Sequence, residues 1–172
     1  MCIIIDTNSL GNVFNTFSQN HEEFEPIFKW ILEGKGKVVF GGTKYMSEIG
    51  PNYRKLFTEL RNAKKAVRVE NEKVDQLEAK IRNAVRDADF DDQHIIALLI
   101  SSGCKLICSE DRRAYPYFRN LLFFKFAKKR PKIYRGRSNS PLLTDSNISS
   151  ICRPCDPLSN REKQRVNLIL NI

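Results

Sequence analysis

No apolar run in these 172 residues approaches the ~18 that a membrane-spanning helix requires, so the sequence offers no helical span. Histidine is scarce, with only His21 and His94 available to any metal centre. The five cysteines are odd in number and lack the dense spacing of a disulfide framework, which points to a reducing, cytoplasmic setting. Cys152-Arg153-Pro154-Cys155 is a lone CxxC; a zinc site would need a second pair, so a free or redox-labile pair is the simpler reading. Cys104 and Cys108 fall on one face of an expected strand and read as buried. The most telling absence is acid: from Arg112 to Thr144 there is none, against ten Lys or Arg.

That gap concentrates the positive charge. Outside this segment 19 basic residues meet 20 acidic ones, so almost all of the formal charge of +9 sits in one stretch. Such a stretch attracts polyphosphates by counterion release. Phe118, Phe123, Phe124, Phe126 and Tyr134 interleave with it, a pattern that suits nucleic acid, although some of these rings belong to the core. A merely solvated surface, or a tail docking on an acidic partner, is the alternative. With 41% hydrophobic and 28% charged residues the chain is globular, and its length fits one domain over residues 1–137 with an extension over 138–172.

Hydrophobic periodicity sets out the elements. The opening Met-Cys-Ile-Ile-Ile-Asp lacks a basic region and reaches a carboxylate at residue 6, so it reads as a core strand rather than a secretory signal. Phe14 and Phe17 share a helical spacing, and residues 22–32 carry a helical period closed by Gly34 and Gly36. Lys37–Phe40 is a strand, and Gly41-Gly42-Thr43 turns into a helix carrying Glu48. That helix is interrupted at Gly50-Pro51 and resumes through Leu60. Residues 67–69 form a short strand, 72–85 and 93–101 helices, and 105–108 a buried strand. Short strands alternating with helices predict an α/β fold with a central parallel sheet covered on both faces. The chain beyond Pro131 is irregular, 138–150 reads as loop, and Ser159…Glu162 is a capping-box pattern before a final helix or strand.

Four acids stand where such a sheet gathers its functional groups. Asp6 and Asp111 follow apolar strands, Asp92 opens a helix, and Glu48 lies about a turn and a half beyond Thr43, within reach of the strand ends. Brought together, they would repel one another unless a divalent cation lay between them, and hard oxygen donors suit Mg²⁺ or Mn²⁺. Each has a simpler reading: Asp92 and Asp111 as helix caps, Asp6 as a strand-end turn. His94 reads as a packed or surface histidine rather than a base.

These segments resemble the PIN-domain nucleases, which include the ribonuclease toxins of toxin–antitoxin pairs. The likeness rests on Ile3-Ile4-Ile5-Asp6-Thr7-Asn8, Thr43…Ser47-Glu48, Asp92-Gln93-His94-Ile95-Ile96-Ala97 and Lys105-Leu106-Ile107-Cys108-Ser109-Glu110-Asp111, in order, up to about residue 135. The resemblance implies a three-layer α/β/α sandwich with strand order 3-2-1-4-5. It implies Asp6, Glu48, Asp92 and Asp111 as ligands of Mg²⁺ or Mn²⁺, with Thr7, Asn8, Ser109 and Glu110 around them. Many relatives carry a further acid where this chain has Arg113; Glu110 or Asp91 would supply that charge, or a single metal would bind. Asp89 and Asp91 also compete with Asp92 for the site.

The activity implied is hydrolysis of RNA, with DNA the lesser candidate, by metal-activated water. Arg112, Arg113, Lys125, Lys128, Lys129, Arg130, Lys132, Arg135 and Arg137 would hold the strand. The settings implied are a toxin or defence effector restrained by an antitoxin, or a subunit of an RNA-processing or defence assembly. A homodimer and a non-catalytic RNA-binding module complete the expectations.

Overall fold

The computed structural model describes residues 2–85, 90–144 and 149–171. Five strands form one all-parallel sheet in the order β3-β2-β1-β4-β5: β1 (Cys2–Ile5), β2 (Lys37–Gly41), β3 (Ala66–Val69), β4 (Leu106–Cys108) and β5 (Lys132–Tyr134). β1, β2 and β4 are buried throughout, as apolar strands covered on both faces must be. Their order is the one the resemblance implied. Periodicity alone did not mark β5, an edge strand of three residues behind Pro131, too short to show an alternation.

The right-handed rule for parallel crossovers assigns the layers. Connections from β1 to β3 place α1 (Leu10–Phe14), α2 (His21–Leu32) and α4 (Pro51–Asn62) on one face, where Phe57 packs edge-on to Phe14 and beside Phe40. The return to β4 places α5 (Asn71–Ala84) and α6 (Gln93–Ser102) on the other, completing an α/β/α sandwich. Phe17 does not share the buried face of Phe14. α1 stops at Phe14, Asn15 Oδ1 accepts from the Phe17 amide at 3.0 Å, and the Phe17 ring is left 87% exposed in the turn.

The segment over 138–172 is not a separate unit. A 3-10 turn over Arg137–Leu142 lies on α2, and α8 (Asn160–Leu170) packs on α4 through buried Val166 and an Arg165–Glu59 ion pair of 2.9 Å. The Ser159–Glu162 capping box starts α8, which settles the choice between helix and strand. Cys152 is buried with Cys2 and Cys104, and Cys104 Sγ donates to the Cys2 carbonyl at 3.1 Å. All five thiols are free.

One junction aims Glu48 at the strand ends. α3 (Thr43–Glu48) must leave β2 sharply, and Gly41 and Gly42 make the turn at φ +144° and +87°. A Cβ on Gly41 would stand 2.2 Å from the Val69 carbonyl oxygen, and one on Gly42 2.7 Å from a Val74 methyl. α3 is then fixed twice. Asp75 accepts from the Thr43 amide (2.8 Å) and hydroxyl (2.6 Å), and the buried Tyr45 hydroxyl donates to the Ile5 carbonyl at 2.7 Å. Gly41→Ala is expected to lower unfolding free energy by about 2 kcal/mol or more, from strain and backbone overlap. Gly50→Ala, with nothing near its Cβ, should stay within about 0.5 kcal/mol. Urea unfolding of both variants checks the contrast.

Candidate metal centre

The carboxyl edge of the sheet carries the acids. Asp6 ends β1 with its amide donating to the Cys108 carbonyl at 2.9 Å, so β1 and β4 deliver Asp6 and the Ser109–Asp111 segment side by side. Ser109 links them: its hydroxyl donates to Asp6 Oδ2 at 2.8 Å and accepts from the Asp111 amide at 3.2 Å. Glu48, at the end of α3, accepts from Thr7 Oγ1 at 3.0 Å. Asp91 and Asp92 arrive from the opposite layer. Phe90 is buried, stacks on Tyr117 at 3.8 Å between centroids, and lies near Phe123, which ties this segment to the chain just past Asp111. Gln93 Nε2 also donates to the Phe90 carbonyl.

A cavity of about 370 Å³ opens there, lined by Asp6, Thr7, Asn8, Lys44, Glu48, Asp91 and Asp92. Beside it Asp91, Asp92 and Asp111 bring carboxylate oxygens within 4.8 Å of one another, a set that could hold a metal ion. Among the described residues no other group of acids, cysteines or histidines does so, and the Cys152–Cys155 pair gains no zinc-like set. Asp91 therefore stands in the acidic cluster, whereas Glu110 turns away. Glu110 accepts from Asn12 Nδ2 at 2.6 Å and lines a neighbouring polar cavity. Asp89 lies outside the described residues.

Crowding shows in the protonation of these groups. Burial, then the charges of Asp6, Asp91 and Asp111, push Asp92 up to about 7, against a smaller opposing pull from Lys44. Burial also raises Asp6, opposed by its hydrogen bonds from Ser109 and Asn8 and reinforced by Glu48 and Asp111. The simple cap reading fails for Asp92, whose side chain makes no capping bond to α6. Asp6 does accept from the Asn8 amide, at 3.3 Å, so it caps the following turn and faces the cavity at once.

Two cations and a neutral ring also meet the acids, and of these only Lys44 was not marked in the sequence. Lys44, one residue into α3, lines the cavity and donates to the Asp91 carbonyl at 2.6 Å. Its position one turn before Glu48 on the same helix was the available signal. Arg113 grips Asp111 with both arms of its guanidinium, Nε to Oδ1 at 3.1 Å and a terminal nitrogen to Oδ2 at 2.7 Å, and holds that carboxyl below its usual range. Of the packed and surface readings, His94 takes the packed one. It is 3% exposed and its Nε2 is 3.3 Å from Glu48 Oε2. Burial, then Lys44, lowers it to about 4, so it faces Glu48 as a neutral imidazole.

The basic residues do not form one track. Arg112 and Arg135 line the adjoining cavity of about 340 Å³ with Tyr115, Ser138, Asn139, Glu23 and Glu110. Arg137 is spent on α2: its amide donates to Glu23 at 2.8 Å and its guanidinium to Glu25 at 2.7 Å. Lys125, Lys128, Lys129, Arg130 and Lys132 occupy the other edge. Lys132 opens β5 and its amide donates to the Lys105 carbonyl, at the amino ends of the strands, about 10 Å of strand from Arg135. Phe118, Phe124 and Tyr134 are buried, and Phe126 is exposed. No protein family, curated protein or solved structure matches the chain.

The raised Asp92 sets a pH signature. Between its unfolded value near 4 and its folded value near 7 the native state holds more protons, so this group destabilises the metal-free fold increasingly as pH rises through that window. Asp92→Asn is expected to raise the melting temperature at pH 8 in EDTA and to lose that advantage near pH 4. A variant no more stable than the parent at pH 8 would contradict the crowding.

Proposed function

We propose that this chain is a divalent-cation-dependent nuclease that hydrolyses internal phosphodiester bonds of RNA. The observation that carries the reading is the gathering of Asp6, Glu48, Asp91, Asp92 and Asp111 from separate segments at one sheet edge. Burial, reinforced by the neighbouring carboxylates, raises Asp92 and Asp6, and a fold maintains such a cluster at low cost when a cation offsets it. The buried His94 imidazole, turned toward Glu48, completes the wall behind these carboxylates.

Asp91, Asp92 and Asp111 would hold Mg²⁺ or Mn²⁺, with Asp6 and Glu48 beside them, and all are hard oxygen donors. When bound, the ion would lower the pKa of a coordinated water and neutralise charge on the phosphoryl oxygens. The protein's own groups do the positioning. Ser109 and the Asn8 amide fix both oxygens of Asp6, and Thr7 fixes Glu48. Neutral His94 excludes solvent behind Glu48 without adding charge. The Thr7 and Ser109 hydroxyls are already donating to carboxylates, so water rather than a side chain is the nucleophile. Arg112 and Arg135, in the polar cavity that Glu110 also lines, would receive a strand leaving the acids, since their N–H groups suit phosphate oxygens.

RNA is favoured over DNA because the small nucleases that the motifs resemble act mostly on RNA. The same resemblance supplies the toxin or defence setting, and with it an antitoxin or a larger assembly as partner.

Asp6→Asn and Asp111→Asn are each expected to abolish Mg²⁺- or Mn²⁺-dependent RNA cleavage with the circular dichroism unchanged. Persistence of cleavage in both, or equal cleavage in EDTA, would remove the reading. Arg113→Gln tests the counter-charge on Asp111. Because exposed ion pairs are worth about 0–1 kcal/mol, it should tighten Mn²⁺ binding by roughly two- to five-fold in calorimetry. Weaker Mn²⁺ binding would show that Arg113 assists rather than competes.

A further inference from the structure

The amino edge of the sheet holds a second, chemically different surface. An apolar groove of about 400 Å³ lies between the end of α6 and the chain past α7 (Tyr115–Phe118). Leu99, Ile100, Cys104, Phe123 and Phe124 supply its apolar walls, and Lys105, Lys125 and Lys129 its rim. The segment that forms it keeps large side chains in solvent: Leu121 is 60% exposed, Leu122 56% and Phe126 63%. Among the described residues none of Lys105, Lys125, Lys128, Lys129, Arg130 or Lys132 is paired with a carboxylate. Single exposed apolar residues need no explanation, but three within six residues beside an apolar groove mark an interaction surface.

The chemistry selects the occupant. A single-stranded nucleic acid offers phosphates and flat rings, and would use aromatic platforms. Here the exposed groups include two leucines, the walls include Leu99 and Ile100, and the Lys129 ammonium already lies 5.5 Å from the Phe126 ring centroid. A second copy presenting this same face would set lysines against lysines, which opposes a symmetric dimer through the groove. A helix with an apolar stripe flanked by acids satisfies both the walls and the rim.

We infer that this groove docks an acidic, amphipathic segment of a partner protein, at the sheet edge opposite the acidic cluster. The inference does not depend on the nuclease reading, because a partner seated there would leave the carboxyl edge open to substrate.

The test is fluorescence anisotropy on the full chain with three labelled probes. These are a one-groove-length peptide with leucines at helical spacing among glutamates, the same peptide with lysines for glutamates, and a uridine oligomer of matching length. The acidic peptide should bind at least about tenfold more tightly than its charge-reversed form and weaken with added salt. Leu121→Ser/Leu122→Ser/Phe126→Ser and, separately, Lys125→Glu/Lys129→Glu should each weaken it about tenfold, with unchanged thermal melts. Equal binding of both peptides, no peptide binding, or binding of the acidic peptide that survives both variants would overturn the inference. So would uridine binding abolished by the leucine–phenylalanine variant, or a dimer in sedimentation that this variant dissociates.

Discussion

Negative charge packed into one corner of the fold is the constraint on which the rest depends. Asp6, Asp91, Asp92 and Asp111 are close enough that burial and repulsion lift Asp92 to about 7, far above an ordinary carboxyl. Two internal cations relieve part of this. Lys44 acts from within the cavity, while Arg113 acts from the rim by closing on Asp111. The balance remains unfavourable at Asp92, beside a set of carboxylates that could hold a metal ion. Arg113 occupies both oxygens of Asp111, so this carboxyl is already shared with a guanidinium.

The two sheet edges divide the labour. A parallel sheet presents all its strand ends in one direction, so residues after the strands collect on one side and residues before them on the other. The acids and Arg112 and Arg135 come after strands. Lys105 and Lys132 precede or open them, and the aromatic segment before β5 joins that side. A run of positive charge that is continuous in sequence is thereby split between two surfaces. One is polar and borders the acids; the other is apolar in its walls and cationic at its rim.

The C-terminal segment belongs to the same core, which extends from Cys2 to Val166. Cys152 seals the amino end of β1 next to Cys2 and Cys104, and α8 covers α4. Cys155, only partly buried, donates its thiol to the Cys152 carbonyl at 2.9 Å. No helix of the described residues is long and apolar enough to cross a membrane.

Local sequence determined much of this protein. Strand and helix order as far as β4, the parallel sheet, the Gly41-Gly42 turn, the Ser159 capping box and the positions of Asp6, Glu48, Asp92 and Asp111 relative to strand ends were legible, because they follow from periodicity and short-range chemistry. Tertiary structure alone decided the rest. Glu110 turns to Asn12 and Asp91 joins the cluster because side-chain direction in a loop is set by distant partners. Phe17 swings into solvent because a helix ended three residues sooner than its spacing suggested, and β5 forms because β4 supplies a ladder that three residues could not announce. Pairing across the sheet, not order along the chain, placed Lys128 to Lys132 on the edge away from the acids.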